Sequence, residues 1–345
     1  MLALRKTAPE FGAQLDEVRE PEVGDETVLV EVEAVGICGS DVHMYEWTRG
    51  YEWLTPFLPV VMGHEFCGRV ARVGSGVETL REGDRVAVMP NNGCLKCTDC
   101  IAGRFDSCRN RRPIGLGVDG AFSRLVAVPA RACLTIGEEV PAHIAAMTEP
   151  FCVAERAVNF GDIRLGDDVV VLGPGIIGLA TAYLAMRRGA RKVTVVGKND
   201  PLRLGIAKAI GITHTVDLAQ SGSGALADVI EARSVDRVFE ATGFAESITQ
   251  GLDLLRDYGL MVAIGIHADH APIDTTPFVR RKLQLRGAHS SGRDSWERIV
   301  AVMPGFAAEL EPLITHRIGL GEAIDGFELC RRREACKVII EPGRG

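Results

Sequence analysis

Apolar residues alternate with polar or small ones along Val28-Leu-Val-Glu-Val-Glu-Ala-Val35, Gly68-Arg-Val-Ala-Arg-Val73 and Arg85-Val-Ala-Val88. A period of two puts one face inside and one outside, so each stretch predicts a half-buried strand. Turn residues punctuate them at Glu20-Pro21, Val23-Gly24, Gly74-Ser-Gly76 and Glu82-Gly-Asp84. Short strands separated by such turns predict a β-rich, barrel-like first part that runs on to about residue 135.

The pattern changes near residue 165. Asp168-Val-Val-Val-Leu-Gly173 is almost continuously apolar, as expected of a parallel strand covered on both faces. Gly173-Pro-Gly175-Ile-Ile-Gly178 matches G-x-G-x-x-G, a helical pattern runs from about Ile176 to Arg188, and Lys192-Val-Thr-Val-Val196 reads as the next strand. Alone, a glycine motif is only a tight turn. Between a strand and a helix it reads as a dinucleotide-binding turn, in which Gly173, Gly175, Ile176, Ile177 and Gly178 bring backbone against a pyrophosphate at a helix N-terminus. The alternation continues with a helix over Leu202–Ile210, a strand over Asp236–Glu240, a helix over Ser247–Leu255, and strands over Leu260–Ile264 and Leu283–Arg286. Five or six strands in this order predict a doubly wound parallel sheet, and the chain as a whole is α/β. Gln220-Ser-Gly-Ser-Gly224 reads as a surface loop. A helix over Trp296–Met303 and a strand over Lys337–Ile340 complete the chain, which shows no internal repeat.

At 345 residues the chain exceeds one ordinary core, so two domains are expected. Its 46% hydrophobic and 25% charged content is that of a soluble globular protein. The net charge is −7, and the basic runs Arg280-Arg-Lys282 and Arg331-Arg-Arg333 are short. They suit a solvated face, and nucleic acid is not an expected partner. Val169–Met186 carries no charge over 18 residues, near the length of a membrane span. Gly173-Pro-Gly175 and Gly178 interrupt it, so no membrane partner is expected. The N-terminal stretch lacks the apolar core of a signal peptide, and a cytoplasmic location is the expectation. In that setting the ten cysteines suggest metal ligation over disulfides.

Cys94, Cys97, Cys100 and Cys108 crowd into fifteen positions. Four thiolates this close can wrap one tetrahedral ion and close its coordination, which makes the ion structural. The spacing approaches an iron–sulfur run, but the last gap is seven and Arg109 follows where that run has Pro, so zinc is the reading. A second group is Gly36-Ile-Cys-Gly-Ser-Asp-Val-His43 with Gly63-His-Glu65. Cys38 and His64 are zinc-type ligands, and a catalytic zinc needs only three protein ligands and an open position. Alone, the pair is also compatible with a buried thiol and an imidazole that never meet.

Taken together, Cys38, Gly63-His-Glu65, the four-cysteine run and the central glycine motif resemble the zinc-dependent medium-chain dehydrogenases over essentially the whole chain. That resemblance implies a GroES-like β-rich catalytic domain, split over 1–155 and 290–345, around a Rossmann domain at 156–289. It implies two zinc ions per chain. Cys38 and His64 would hold the catalytic one, with Glu149 of Thr148-Glu149-Pro150 as the carboxylate ligand in place of Cys152, and with Glu65 able to enter the shell. Ser40 and His43 match the family's proton relay. Zinc would then acidify an alcohol, and a hydride would pass to NAD(P) while the relay carries the proton away. A small-molecule alcohol or ketone is the implied partner, and a homodimer or homotetramer the implied assembly. Readings without that chemistry are a zinc-scaffolded nucleotide-binding protein and a zinc-free quinone or enone reductase.

Asp41-Val-His-Met-Tyr-Glu-Trp47, Ala3-Leu-Arg-Lys6 and Leu313-Ile-Thr-His316 resemble the L-threonine and polyol dehydrogenase branch. Trp53 is displaced from that branch's pattern, and Pro150-Phe-Cys-Val153 replaces its Pro-Phe-Gly-Asn. Threonine, polyols, sugar alcohols and amino-cyclitols all remain as substrates, and Tyr45, Trp47 and Trp53 are either pocket or core. For the cofactor, an acidic residue about 20 positions past the glycine motif marks NAD. Here that place holds Gly197 or Lys198, not an acid. Lys198, with Asn199 and Arg203, suits a 2′-phosphate, so NADP is favoured over NAD, unless Asp200 reaches back to the ribose.

Overall fold

The structure is a computed structural model that describes residues 1–91, 93–220, 226 and 229–344. It divides into two compact units, Met1–Glu149 with Ser291–Gly345, and Pro150–Ser290.

The first unit is built on a seven-stranded sheet. Its order is Ile314–Gly319, Lys337–Glu341, Thr27–Gly36, Glu65–Val73, Arg85–Val88 and Cys133–Thr135, with Leu125–Pro129 also paired to Thr27–Gly36. All its pairings are antiparallel except that of Ile314–Gly319 with Lys337–Glu341. A smaller sheet joins Gln14–Glu17, Leu2–Lys6 and Val60–Val61. Along Thr27–Gly36, Val28, Val30 and Val32 enter a core shared with Leu4, Phe66, Val86, Phe122 and Phe327, while Glu31 faces solvent. Leu29 and Ala34 are buried as well, and Arg85–Val88 is buried throughout, so these two strands are covered on both faces and not half-buried as expected. Two registers matter for function. Gly36 stands opposite Glu65 on one side and opposite Ile339 on the other.

The second unit carries six parallel strands in the order His214–Asp217, Lys192–Gly197, Asp168–Leu172, Val235–Glu240, Leu255–Ala263 and Gln284–Gly287. In chain order this is 3-2-1-4-5-6, the doubly wound dinucleotide-binding arrangement. Val169 to Leu172 are buried between flanking strands. The order reverses between Asp168–Leu172 and Val235–Glu240, and ligands of such sheets sit outside the carboxyl ends at that reversal.

Several elements lie outside the expected ones: strands Leu2–Lys6, Gln14–Glu17, His214–Asp217 and Ile314–Gly319, and helices Gly39–Glu46, Thr148–Phe160 and Ala323–Arg331. The strand expected to begin at Leu260 begins at Leu255. Of the stretch read as a surface loop, residues 221–224 lie outside the described residues. Among the described residues no helix is long and apolar enough to cross a membrane. The uncharged run after Asp168 is the strand Asp168–Leu172, a turn and the helix Ile176–Arg187.

Candidate active site

Strand Thr27–Gly36 ends one residue before Ile37, and Cys38 is the N-cap of helix Gly39–Glu46, with extended backbone at φ −90° and ψ 157°. Asp41, on the first turn of that helix, turns back so that its Oδ2 accepts the Cys38 N–H at 3.0 Å. This fixes the ligand loop by the rule that a helix start needs its free N–H groups satisfied. His64 and Glu65 arrive on the neighbouring strand. Gly63 before them has φ +94°, and a Cβ there would stand 2.9 Å from the Phe122 ring and backbone, so only glycine presents His64 in this way.

The ligand atoms of Cys38, His64 and Glu65 lie within 4.8 Å of one another, and His64 and Glu65 are buried. Glu65 Oε1 is buried without a hydrogen-bond partner. An orphaned carboxylate oxygen beside a thiol and an imidazole is a costly arrangement unless a cation completes it. A soft sulfur, a nitrogen and an oxygen suit zinc. The residues therefore fit the ion that the family implies.

Asp41 also orients the imidazole, with its Oδ1 3.3 Å from His64 Nδ1. The two atoms face each other as a charge contact, and Nε2 lies toward Ser40 Oγ. Burial lowers the basicity of His64, but the charges of Asp41 and Cys38 and hydrogen bonds to them outweigh it and raise its pKa well above the usual value. Burial, then the charge of Glu65, push the Cys38 thiol up. Glu149, in the first turn of helix Thr148–Phe160, is buried and pushed up to about 7, first by burial and then by Glu65. It feels the charge of Glu65 and His64 but lies outside the trio whose ligand atoms share the 4.8 Å radius. All these shifts have one sign: the site holds more negative charge than burial tolerates, which is what a bound cation relieves.

Ser40 and His43 occupy positions i and i+3 of the same helix. Ser40 Oγ lies 3.3 Å from His64 Nε2, and His43 is exposed, with its Nδ1 3.2 Å from Thr48 Oγ1. The Tyr51 ring lies 5.7 Å from the His43 ring. Its phenol pKa is raised, first by burial and then by the charges of Cys38 and Asp41. Of the aromatics left open between pocket and core, Tyr45 is buried, stacks on Phe327 at 5.0 Å and donates to Glu328. Trp47 packs on the core beneath the Lys6 ammonium. Trp53 is exposed and meets Phe57 edge-on.

The sulfurs of Cys94, Cys97, Cys100 and Cys108 also lie within 4.8 Å of one another. Backbone N–H groups already point at them: Cys94 N–H toward Cys108 Sγ at 3.4 Å and Cys100 N–H toward Cys97 Sγ at 3.5 Å. Backbone hydrogen bonds, first from Lys96, pull the Cys94 thiol down to about 6, whereas desolvation leads the causes that push Cys100 up to about 12. A Cβ on Gly93 would sit 2.7 Å from Cys100 Sγ. Four converging sulfurs and no oxygen suit a closed zinc site.

In the second unit Gly173 takes φ +102°, and a Cβ on Gly178 would stand 1.9 Å from the Gly173 carbonyl. Both positions therefore exclude side chains. Gly175 is the N-cap of helix Ile176–Arg187. Arg203 Nη1 lies 4.0 Å from where its Cβ would be. Lys198 and Asn199 are exposed just past strand Lys192–Gly197. Asp200 is buried and N-caps helix Pro201–Ala209, accepting Arg203 N–H at 3.2 Å and Arg203 Nε–H at 2.6 Å. It is committed to Arg203.

Two residues that touch His64 and Glu65 were not singled out by sequence reasoning. Asp41 carried a signal, since an acid three residues after a helix-starting cysteine fits a capping box. Lys337 carried none: it opens an ordinary apolar strand, yet its side chain is fully buried against Glu65.

Comparison with known proteins fits this geometry. An alcohol dehydrogenase GroES-like domain matches residues 24–138, and a zinc-binding dehydrogenase domain matches residues 177–304. An L-threonine 3-dehydrogenase of Sinorhizobium fredii (strain NBRC 101917 / NGR234) is 37% identical, covering 99% of this chain and 98% of its own. A structure described as a zinc-binding dehydrogenase from Sinorhizobium meliloti 1021, bound to NADP, superposes with a TM-score of 0.89 at 31% identity, covering 99% of both chains. The 2R,3R-butanediol dehydrogenase of Bacillus subtilis gives 0.88 at 26% identity, again over 99% of both chains. The chain belongs to the zinc-dependent medium-chain dehydrogenase/reductase family. It is accordingly an alcohol oxidoreductase of the zinc- and NAD(P)-dependent type.

Proposed function

We propose that this protein oxidises a secondary alcohol with polar neighbours, such as a polyol, a sugar alcohol or a β-hydroxy amino acid, and prefers NADP. The observation that carries the reading is the buried meeting of Cys38, His64 and Glu65, one of whose carboxylate oxygens has no hydrogen-bond partner. Cys38 and His64 hold the catalytic zinc and Glu149 completes its ligand set, with Glu65 alongside. When bound, zinc would supply the Lewis acidity that makes an alcohol a proton donor near neutral pH, and a nicotinamide dinucleotide would supply the hydride acceptor. Ser40, beside His64 Nε2, takes the proton, and exposed His43 passes it to water. Half-buried Tyr51 supplies a polar contact for the substrate. Cys94, Cys97, Cys100 and Cys108 hold a second, structural zinc.

The cofactor preference is supported by the lack of a free acid at the end of strand Lys192–Gly197. Asp200 is occupied by Arg203, while exposed Lys198 offers positive charge to a 2′-phosphate. The NADP-bound relative from S. meliloti agrees with this. Production of reduced cofactor would be followed across polyols, sugar alcohols and β-hydroxy amino acids including L-threonine, with NAD and NADP. Turnover of at least one such alcohol is expected, with kcat/KM higher for NADP and that advantage reduced about tenfold or more in Lys198→Asp. A zinc-loaded protein that oxidises none of them overturns the reaction. A clear NAD preference, unchanged by Lys198→Asp and lost in Asp200→Ala, overturns the cofactor assignment.

A further inference from the structure

Lys337 and Glu65 are separated by 272 residues and are both fully buried, with Nζ in contact with Glu65 Oε2. The same ammonium donates to the Ile37 carbonyl at 2.9 Å, one residue from Cys38. Strand pairing sets this meeting, because Glu65 stands opposite Gly36, and Gly36 opposite Ile339. Gly36 is shaped to it. A Cβ there would lie 2.6 Å from Glu65 Oε2 and 2.7 Å from Lys337 Cε. The two oxygens of Glu65 thus differ. Oε2 is held by a cation, Oε1 is buried and unpartnered, and one of the two oxygens lies within the Cys38–His64 cluster.

We infer that Lys337 is a positioning residue that holds Glu65 at the edge of the metal centre, close enough to balance charge and restrained from occupying the position an alcohol needs. The inference rests on the catalytic-zinc reading of Cys38 and His64 given above. A divalent cation at this place would meet the charges of Cys38, Glu65, Glu149 and Asp41. Four anions against a doubly charged ion leave an excess of two negative charges in a buried site, and Lys337 halves it. Without Lys337, no cationic partner of Oε2 remains among the described residues, and the carboxylate would turn to the metal and close the open position. A catalytic zinc site differs from a structural one by that open position, so the lysine preserves the catalytic character of the centre without touching metal or substrate.

Metal binding separates this from a structural role. The full-length protein would be prepared as parent, Lys337→Met, Glu65→Gln and the Lys337→Met/Glu65→Gln double variant, with cobalt in place of zinc. In Lys337→Met the cobalt visible spectrum should change to that of a closed centre unresponsive to added alcohol. Loss of the ion to a chelator should slow by about tenfold, and kcat/KM should fall by about 10–100-fold, the range seen when partners of metal ligands are removed. The double variant should regain the parent's alcohol-responsive spectrum, because a carboxamide is a poor ligand. Glu65→Gln and the double variant should give the same spectrum, since the lysine acts only through Glu65. That pair decides the matter even if Lys337→Met alone does not fold. A parent-like cobalt spectrum in Lys337→Met, or differing spectra for Glu65→Gln and the double variant, overturns the inference. A parent that binds no cobalt at Cys38 and His64 overturns the underlying zinc assignment instead.

Discussion

In the four-cysteine lobe every sulfur comes from fifteen consecutive residues. The Cys38 centre, in the same unit, draws Cys38 from a loop, His64 and Glu65 from a strand edge, and their supports from Asp41 and Lys337. The lobe satisfies its sulfurs with its own backbone N–H groups. The Cys38 centre relies on side chains brought together by sheet register. Four like ligands close a coordination sphere and leave nothing to bind substrate, whereas three unlike ligands with an unpartnered oxygen leave room for chemistry. The first arrangement suits an ion that would stabilise a fold. The second gathers buried negative charge, which Lys337 offsets in part and a bound cation would offset further.

The sharpest way to break this comparison is to remove one ligand from the centre that is read as catalytic. Cys38→Ser should lower kcat/KM by about a thousandfold or more and reduce bound zinc by one ion per chain, while the lobe keeps its metal and the melting temperature changes little. Metal analysis of the purified protein and the absorbance of reduced cofactor give both readouts. Retained activity with one zinc missing would exchange the roles of the two centres.

The reverse experiment is Cys100→Ser. One zinc ion should again be lost, but here the melting temperature should fall by roughly 5–10 °C, because a structural metal contributes folding free energy directly. At a temperature below that transition, kcat/KM should stay within about threefold of the parent, as expected for a change remote from the reacting atoms. A variant that keeps its full metal content and melting point would show that the four sulfurs hold no ion. One that keeps its stability but loses catalysis would mean the lobe takes part in the reaction.

The two centres also differ in how far they could be read in advance. Cys94, Cys97, Cys100 and Cys108 are legible from spacing alone, since fifteen residues cannot carry four thiols far apart. The doubly wound sheet is legible for the same local reason. Each buried strand is an apolar run, and the glycine turn sits between one such run and a helix. Cys38 and His64 were candidates by ligand type, but nothing in a single sequence says that they meet, and Glu149 became a candidate only through family resemblance. Lys337 was out of reach, because its partner is fixed by the pairing of two strands some 300 positions apart, at Gly36 and Ile339. The helix Gly39–Glu46 escaped notice because it starts at a ligand cysteine and lacks an apolar stripe: only Asp41, Met44 and Tyr45 are buried along it. Strand His214–Asp217, at the sheet edge, has no buried residue and so no alternation to read.

The smallest expected effect tests the packing behind the lobe. A Cβ on Gly93 would stand 2.7 Å from Cys100 Sγ and 3.1 Å from the ring of Phe105. Both distances are below ordinary contact, so one neighbour has to move. Phe105 is only half-buried and belongs to the short helix Phe105–Ser107, so its ring can turn aside. Cys100 is buried and its sulfur points among three others, so it cannot shift without distorting the tetrahedral set. A metal–sulfur site tolerates displacements of about 0.2 Å, less than this clash demands. Gly93→Ala should therefore release the lobe's zinc to a chelator about tenfold faster and lower the melting temperature by about 2–4 °C, the shift that corresponds to about 1 kcal/mol in a domain of this size. The Cys38 centre should keep its metal and its turnover. If Gly93→Ala retains lobe zinc as the parent does, the ring of Phe105 alone has absorbed the methyl group and the sulfur set is looser than its geometry implies. If turnover falls instead, the two centres are coupled and the division of labour between a stabilising ion and a reacting one is wrong.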